Sequence, residues 1–304
     1  MSGICEGRVV IVTGAGRGIG RGHALEFVRQ GARLVVNDLG SEVDGTGSSA
    51  GPAGQVVDEI RAAGGEAVAN GDDVADWAGA ERLVRTAIET FGRLDVLVNN
   101  AGILRDRMLV NMTEEEWSDV VRVHLAGTFA PTHFAAQLWR ERSRAGEEVD
   151  ARVVNTSSTS GIFGNIGQTN YGAAKAGLAA FTVIAAQELG RYGVTVNAIA
   201  PGARTRMTEN LAAMRGVPPP EPEPGAFDPR APENVAPLVV WLGSPESRGV
   251  TGQVFLVAGG RIGVAQGWRR GPSVDGGRRW DPAELTDVVP RLVAEATAAT
   301  AAPG

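Results

Sequence analysis

A single cysteine, Cys5, rules out an internal disulfide in this 304-residue chain, and no grouping of histidine with cysteine suggests a metal site, so no metal is expected. No apolar run approaches the ~20 residues of a membrane span. The amino terminus, M-S-G-I-C-E-G-R, lacks the apolar stretch of a secretion signal, and the final A-A-P-G is not a peroxisomal address. A reducing cytoplasm is therefore the expected compartment. Surplus positive charge is missing as well: a net charge of -6 and a pI near 5.3 argue against nucleic acid or a membrane as partner. With 43% hydrophobic residues the chain can still bury a sizeable core.

Lysine is as scarce as cysteine. Of 29 Lys plus Arg, only Lys175 is lysine. Arginine cannot give up its proton and carries a broad planar fork, whereas lysine is a compact, tunable charge, so this one position has excluded arginine. Tyrosine occurs only at Tyr171 and Tyr192. On a helix, Tyr171 and Lys175 point at the same small volume. An ammonium beside a phenol favours the phenolate and is expected to lower the Tyr171 pKa, making it a usable proton donor and acceptor. Ser158, thirteen residues before Tyr171, falls where a strand ending V-V-N-T-S delivers a hydroxyl at its carboxyl end, the place where open α/β sheets put ligands. Hydroxyl, phenol and amine together suit a carbonyl-alcohol interconversion.

The apolar run Arg8 to Val12 stops at T-G-A-G-R-G-I-G, spaced G-x-x-x-G-x-G through Gly14, Gly18 and Gly20, and a helix is expected from His23 to Arg29. Strand, glycine turn and helix let backbone amides approach a pyrophosphate. A second run, Arg33 to Asn37, ends at Asp38, eighteen residues after Gly20, near the spacing of the acid that holds an adenosine ribose. A carboxylate there bonds a 2′-hydroxyl and repels a 2′-phosphate, so NAD is expected rather than NADP. Arg17 pulls the other way, and Asp38, set against the discriminating hydroxyl, weighs more. Asp73 and Val74 are expected beside the adenine.

Leu39 to Gly54 reads as a long mobile loop, followed by a helix from Gln55 to Ala63. Strands are expected at Glu66 to Asn70, Leu94 to Val98, Ala151 to Asn155, Val194 to Ala200 and Gly252 to Val257. Helices are expected from Ala75 to Phe91, from the Thr113 capping box through about Arg142, from Gln168 to Gly190, from Val235 to Leu242 and from Pro282 to Ala298. Helices alternating with apolar strands indicate a parallel sheet with right-handed crossovers. Residues 203–232, with V-P-P-P-E-P-E-P-G, suit a solvated insertion and a substrate lid equally. One domain is expected over residues 1–262, with an extension over 263–304.

In this order, T-G-x-x-x-G-I-G, N-N-A-G, the serine before Y-x-x-x-K, and P-G after the sixth strand resemble the short-chain dehydrogenase/reductase family over about residues 7 to 260. The resemblance implies a Rossmann-like, doubly wound α/β fold around a seven-stranded parallel sheet. It implies a nicotinamide cofactor held by Gly14, Arg17, Gly18, Ile19, Gly20, Asp38, Asp73, Val74, Asn100, Ala101, Gly102, Tyr171, Lys175, Pro201 and Gly202. The substrate would lie near Ser158 and Tyr171. A narrower resemblance runs through V-V-N-D-L-G, N-N-A-G-I-L-R-D-R-M, V-H-L-A-G-T-F and S-G-I-F-G-N-I-G-Q-T-N-Y. These segments are similar to the (3R)-hydroxyacyl-CoA dehydrogenase part of the multifunctional enzyme type 2 of β-oxidation. Bacterial relatives of that part act on fatty or steroid side-chain acyl-CoA thioesters.

The narrower resemblance implies NAD-dependent oxidation of a (3R)-3-hydroxyacyl-CoA to the 3-ketoacyl-CoA. Ser158 would bind the substrate hydroxyl, Tyr171 take its proton, and Lys175 hold the nicotinamide ribose. Where most of the wider family has asparagine, this chain and the narrower subgroup have histidine, His124. It is read as holding a relay water through its backbone, carrying protons on its imidazole, or simply packing. Arg105, Arg107, Arg204 and Arg206 are candidates to meet coenzyme A phosphates. The family implies a homodimer or homotetramer through the Tyr-Lys helix and the helix before it, and the small residues from Ala173 to Ala186 suit close contact. Alternatives are a 17β-type hydroxysteroid dehydrogenase, a 3-ketoacyl reductase, and a non-catalytic dinucleotide-binding protein. The last has no use for Ser158, Tyr171 and Lys175 in register.

Overall fold

Strand residues of this chain alternate between two cores, and that alternation sets the layers. In β1 (Val9–Thr13), Val9 and Ile11 enter one apolar cluster while Val10 and Val12 enter the other. The same holds for β2 (Arg33–Asn37), where Val35 faces one cluster and Leu34 and Val36 the opposite one. A strand apolar on both faces needs helices on both sides, which only a doubly wound sheet supplies. The structure is a computed structural model describing residues 3–47, 51–204 and 226–301.

α1 (Gly18–Arg29), α2 (Gly51–Ala62) and the helix Ala236–Gly243 cover one face. α3 (Trp77–Phe91), α5 (Gly127–Arg144) and α7 (Thr169–Leu189) cover the other. β3 (Ala67–Asn70), β4 (Val96–Asn99), β5 (Ala151–Thr156), β6 (Val194–Gly202) and β7 (Val254–Ala258) complete a parallel array ordered β3-β2-β1-β4-β5-β6-β7. The order reverses between β1 and β4, which opens a crevice at their carboxyl ends.

The expected seven-strand sheet gains an eighth strand. β8 (Arg261–Val264) turns back antiparallel on β7, pairing Ala258 with Arg261 across Gly259 and Gly260. Gly259 at φ +54° supplies the left-handed turn that a two-residue hairpin needs. α1 begins at Gly18, five residues before the expected start, because the glycines of the turn belong to its first turn.

The helix expected to run unbroken from Thr113 is also interrupted. The capping box is present, with Glu116 N–H on Thr113 Oγ1 and Thr113 N–H on the Glu116 carboxylate, and opens α4 (Glu114–Val121). One turn of π-helix, Arg122–Ala126, then separates α4 from α5, closed by Gly127 N–H on the Arg122 carbonyl. Pro131 has no N–H for the Gly127 carbonyl four residues before it, which loosens the ladder at this junction.

A buried polar ladder fixes α7 over the sheet. Asn99 Nδ2 donates to Asn155 Oδ1 at 2.9 Å and to Thr132 Oγ1 at 3.0 Å, and Asn155 Nδ2 donates to Thr182 Oγ1 at 2.9 Å. Residues through Ala265 form one compact unit and those from Gln266 a smaller one. In the smaller unit Asp281 caps the turn Pro282–Glu284, which leads into the helix Leu285–Ala301. No helix among the described residues is long and apolar enough to cross a membrane.

Candidate active site

The carboxyl ends of the strands open onto a cavity of about 560 Å³. Every residue singled out from the sequence for chemistry or cofactor lines it, from the Gly14 turn through Asp38, Asp73, Asn100 and Pro201 to Ser158, Tyr171 and Lys175. β5 delivers Ser158, the N-cap of the short helix α6 (Thr159–Phe163), where its Oγ accepts the Ser160 N–H at 3.1 Å. Tyr171 and Lys175 stand one turn apart on α7, as their spacing requires.

Their electrostatics differ from the expected arrangement. Lys175 Nζ donates to the Thr156 carbonyl at 2.5 Å and lies 5.5 Å from the centre of the Tyr171 ring. Burial lowers Lys175 to a pKa of about 7, and burial also raises Tyr171 above its ordinary value. A hydrogen bond from Ser158 opposes that rise, and the Asp106 charge adds to it. The expected lowering of the phenol by its lysine is thus not found: burial dominates the Tyr171 shift, and the amine is directed at the Thr156 carbonyl rather than at the phenol.

His124 sits on the π turn with its ring edge-on to Tyr171, centroids 5.2 Å apart. Its Nε2 lies 2.9 Å from the Ile103 carbonyl and 3.3 Å from the Ile103 nitrogen, donating to the first or accepting from the second according to its tautomer, and Nδ1 is buried without a hydrogen-bond partner among the described residues. Burial and the nearby Lys175 charge hold the imidazole well below its ordinary pKa, so it is neutral near pH 7. Only a glycine at 102 admits this ring, since a Cβ there would stand 2.3 Å from His124 Cε1.

At the other motif, Arg17 precedes α1 with no side-chain cap, leaving the N–H groups of Gly18, Ile19 and Gly20 without helical acceptors. A Cβ on Gly20 would lie 2.1 Å from the Gly14 carbonyl oxygen, so the turn is as tight as a bare backbone allows. Asp38 accepts Gly16 N–H at 2.8 Å and Gly40 N–H at 2.7 Å, which fixes its carboxylate at the end of β2. Open helix donors, a turn closed to any side chain and a fixed carboxylate form a cradle that fits a dinucleotide. Asp73 accepts from Ala75 N–H at 2.8 Å and from Arg122 at 3.0 Å, with Val74 beside it. Asn100 Nδ2 holds the carbonyls of Thr13 and Gly14, and Thr13 Oγ1 accepts the N–H groups of Asn100 and Ala101.

Of the segment read as a mobile loop after β2, residues 39–47 are instead tied across this cleft, residues 48–50 lie outside the described residues, and Gly51 to Gly54 already belong to α2. Leu104 N–H donates to the Val43 carbonyl at 3.0 Å and Arg105 Nε to the Asp44 carbonyl at 2.9 Å. Arg105 also pairs with Glu115 and Asp119, and Arg107 with Glu116, so both arginines proposed for phosphates already hold carboxylates. Arg204 pairs with Asp228, and its N–H donates to the Arg230 carbonyl at 2.6 Å. Arg206 and residues 205–225 of the expected lid lie outside the described residues.

Sequence reasoning passed over Gln168 and Asp106. Gln168 lines the cavity three residues before Tyr171 and bonds Asp106 at 2.8 Å. The signal available was the polar run N-I-G-Q-T-N ahead of the tyrosine.

Residues 8–216 match the family described as short chain dehydrogenase. The hydroxyacyl-CoA dehydrogenase ChsB1 of Mycobacterium tuberculosis is 46% identical over 92% of this chain and 87% of its own length. The peroxisomal multifunctional enzyme type 2 of mouse is 45% identical over 87% of this chain, which spans only 33% of that longer protein. A crystal structure of a short chain dehydrogenase from Mycobacterium avium superposes with a TM-score of 0.86 at 58% identity, covering 97% of each chain.

Proposed function

This chain belongs to the short-chain dehydrogenase family, and from that premise we propose that it oxidises the 3-hydroxyl of a (3R)-3-hydroxyacyl-CoA thioester, with NAD as hydride acceptor. The observation that carries the reading is the convergence of Ser158, Tyr171 and Lys175 on one cavity beside a dinucleotide cradle, in a chain this similar to a hydroxyacyl-CoA dehydrogenase. A bound nicotinamide dinucleotide supplies the hydride acceptor. The open N–H groups of α1 would hold its pyrophosphate, Asp38 its adenosine ribose, and Lys175 its nicotinamide ribose.

Ser158 Oγ, already fixed by the Ser160 N–H, orients the substrate hydroxyl. Tyr171 takes the hydroxyl proton as general base. Burial raises its pKa, so Tyr171 takes the substrate proton only as it gives up its own, and Lys175, with a pKa of about 7, is available in its neutral form to accept that proton. His124, neutral and with Nδ1 open, suits a hydrogen-bonding part in the relay better than carrying charge. Asp38 favours NAD by bonding the 2′-hydroxyl and repelling a 2′-phosphate.

The protein would act as a homodimer or homotetramer. Ala173, Ala176, Ala180, Val183 and Ile184 form one exposed stripe along α7, and Phe129 is exposed on neighbouring α5. Such a stripe of small and apolar residues suits helix-to-helix closure between copies. The functional test is steady-state NAD reduction with (3R)- and (3S)-3-hydroxyacyl-CoA thioesters and hydroxysteroids. The (3R) thioester should be the best substrate; a hydroxysteroid lacking coenzyme A that is oxidised far faster would overturn the reading.

A further inference from the structure

Three successive residues tie the exit of β4 to the start of α7. Asn170 Nδ2 donates to the Arg105 carbonyl at 3.0 Å, Gln168 Nε2 to Asp106 Oδ2 at 2.8 Å, and Arg107 N–H to the Gly167 carbonyl at 2.8 Å. Gln168 is the hub, 3% exposed and lining the cavity. Its Oε1 accepts from Ser160 Oγ at 2.7 Å and from Asn165 Nδ2 at 2.8 Å.

An ionised carboxylate only accepts hydrogen bonds, so Asp106 dictates which end of the Gln168 amide is nitrogen. That nitrogen carries two hydrogens. Asp106 takes one, and no hydrogen bond among the described residues uses the other. Ser160, which bonds the amide oxygen, also donates its N–H to Ser158, the residue assigned to the substrate hydroxyl. Amide and serine are therefore parts of one rigid network. A 3-hydroxyacyl thioester carries, two carbons from its hydroxyl-bearing carbon, a carbonyl that needs a donor.

Resting on the function proposed above, we propose that Gln168 is a specificity-determining residue whose second amide N–H binds the thioester carbonyl, and that Asp106 is the positioning residue that holds the amide in that orientation. A hydroxy compound without this carbonyl leaves the N–H unmet. Sites built around such a donor discriminate against ligands that cannot use it.

The test compares a (3R)-3-hydroxyacyl-CoA with its thioether analogue, in which the carbonyl is replaced by CH2. For the unaltered enzyme kcat/KM should favour the thioester by about tenfold. Gln168→Met should erase that preference by lowering the thioester value alone. Asp106→Asn keeps the shape but offers a donor as well as an acceptor, so the amide can invert and the preference should shrink. Equal losses on both substrates in Gln168→Met would mean that Gln168 merely supports the loop, and the proposal falls. If that variant does not fold, as judged by NAD binding, an undiminished preference in Asp106→Asn overturns the proposal instead. Absence of any turnover of 3-hydroxyacyl-CoA by the unaltered enzyme is a different failure, which removes the function and the inference together.

Discussion

Lys175 turns its amine to the Thr156 carbonyl, 2.5 Å away, rather than to the ring of Tyr171, 5.5 Å from it. Burial there lowers its pKa from 10.5 to about 7. Oxidation releases a proton, so the deprotonated Tyr171–Lys175 pair is the competent form, and kcat/KM for oxidation should rise with pH through about 7. Lys175→Met should move the inflection to higher pH, toward the raised phenol; an unmoved inflection would assign it to another group.

The same residue sets a pH dependence of stability. Between about 7 and 10.5 the unfolded chain carries a proton on Lys175 that the folded chain does not. Stability contributed by this site therefore rises with pH across that window. Thermal unfolding should show Lys175→Met most stabilised relative to the unaltered protein below pH 7, with the difference fading toward pH 10.5.

Tyr171→Phe removes the proton acceptor and hardly alters shape. Its kcat should fall on the order of 10²-fold or more while NAD affinity, read by fluorescence titration, stays close to that of the unaltered protein. Near-normal turnover would exclude Tyr171 as the base.

For the cofactor, the unaltered protein should prefer NAD to NADP by about tenfold or more in kcat/KM, and Asp38→Ala should narrow that gap. Equal rates before substitution would show that Arg17 prevails.

Ile184 is 55% exposed in the α7 stripe. Ile184→Glu should convert a homo-oligomer to smaller species in sedimentation velocity. A monomeric unaltered protein would remove the assembly from the proposal.

The legible parts of this fold were those in which one local pattern carries the information. Glycine spacing marked the turn into α1, short continuous apolar runs marked the strands, and Tyr171 with Lys175 marked one helix face. β8 escaped because four residues at a sheet edge, R-I-G-V, bury nothing on either side. The π turn escaped because one additional residue barely disturbs a helical pattern. The tie between Val43 and Leu104 is backbone to backbone, so no side chain announces it. Gln168 meets Asp106 across 62 residues of chain, a relation that only the folded topology creates. The lowered Tyr171 pKa was mispredicted because sequence supplies proximity but not the direction of an amine or the depth of its burial.

The clasp at Arg105 carries a consequence for interpreting kinetics. Its guanidinium is joined to the strap that carries Val43 and Asp44, through the Asp44 carbonyl, and its own carbonyl to Asn170, whose Oδ1 accepts the Tyr171 N–H at 2.7 Å. Arg105 thus joins the segment after β2 to the start of α7. A substitution there would loosen both attachments together, so a raised KM in such a variant would not by itself report a lost contact with the substrate.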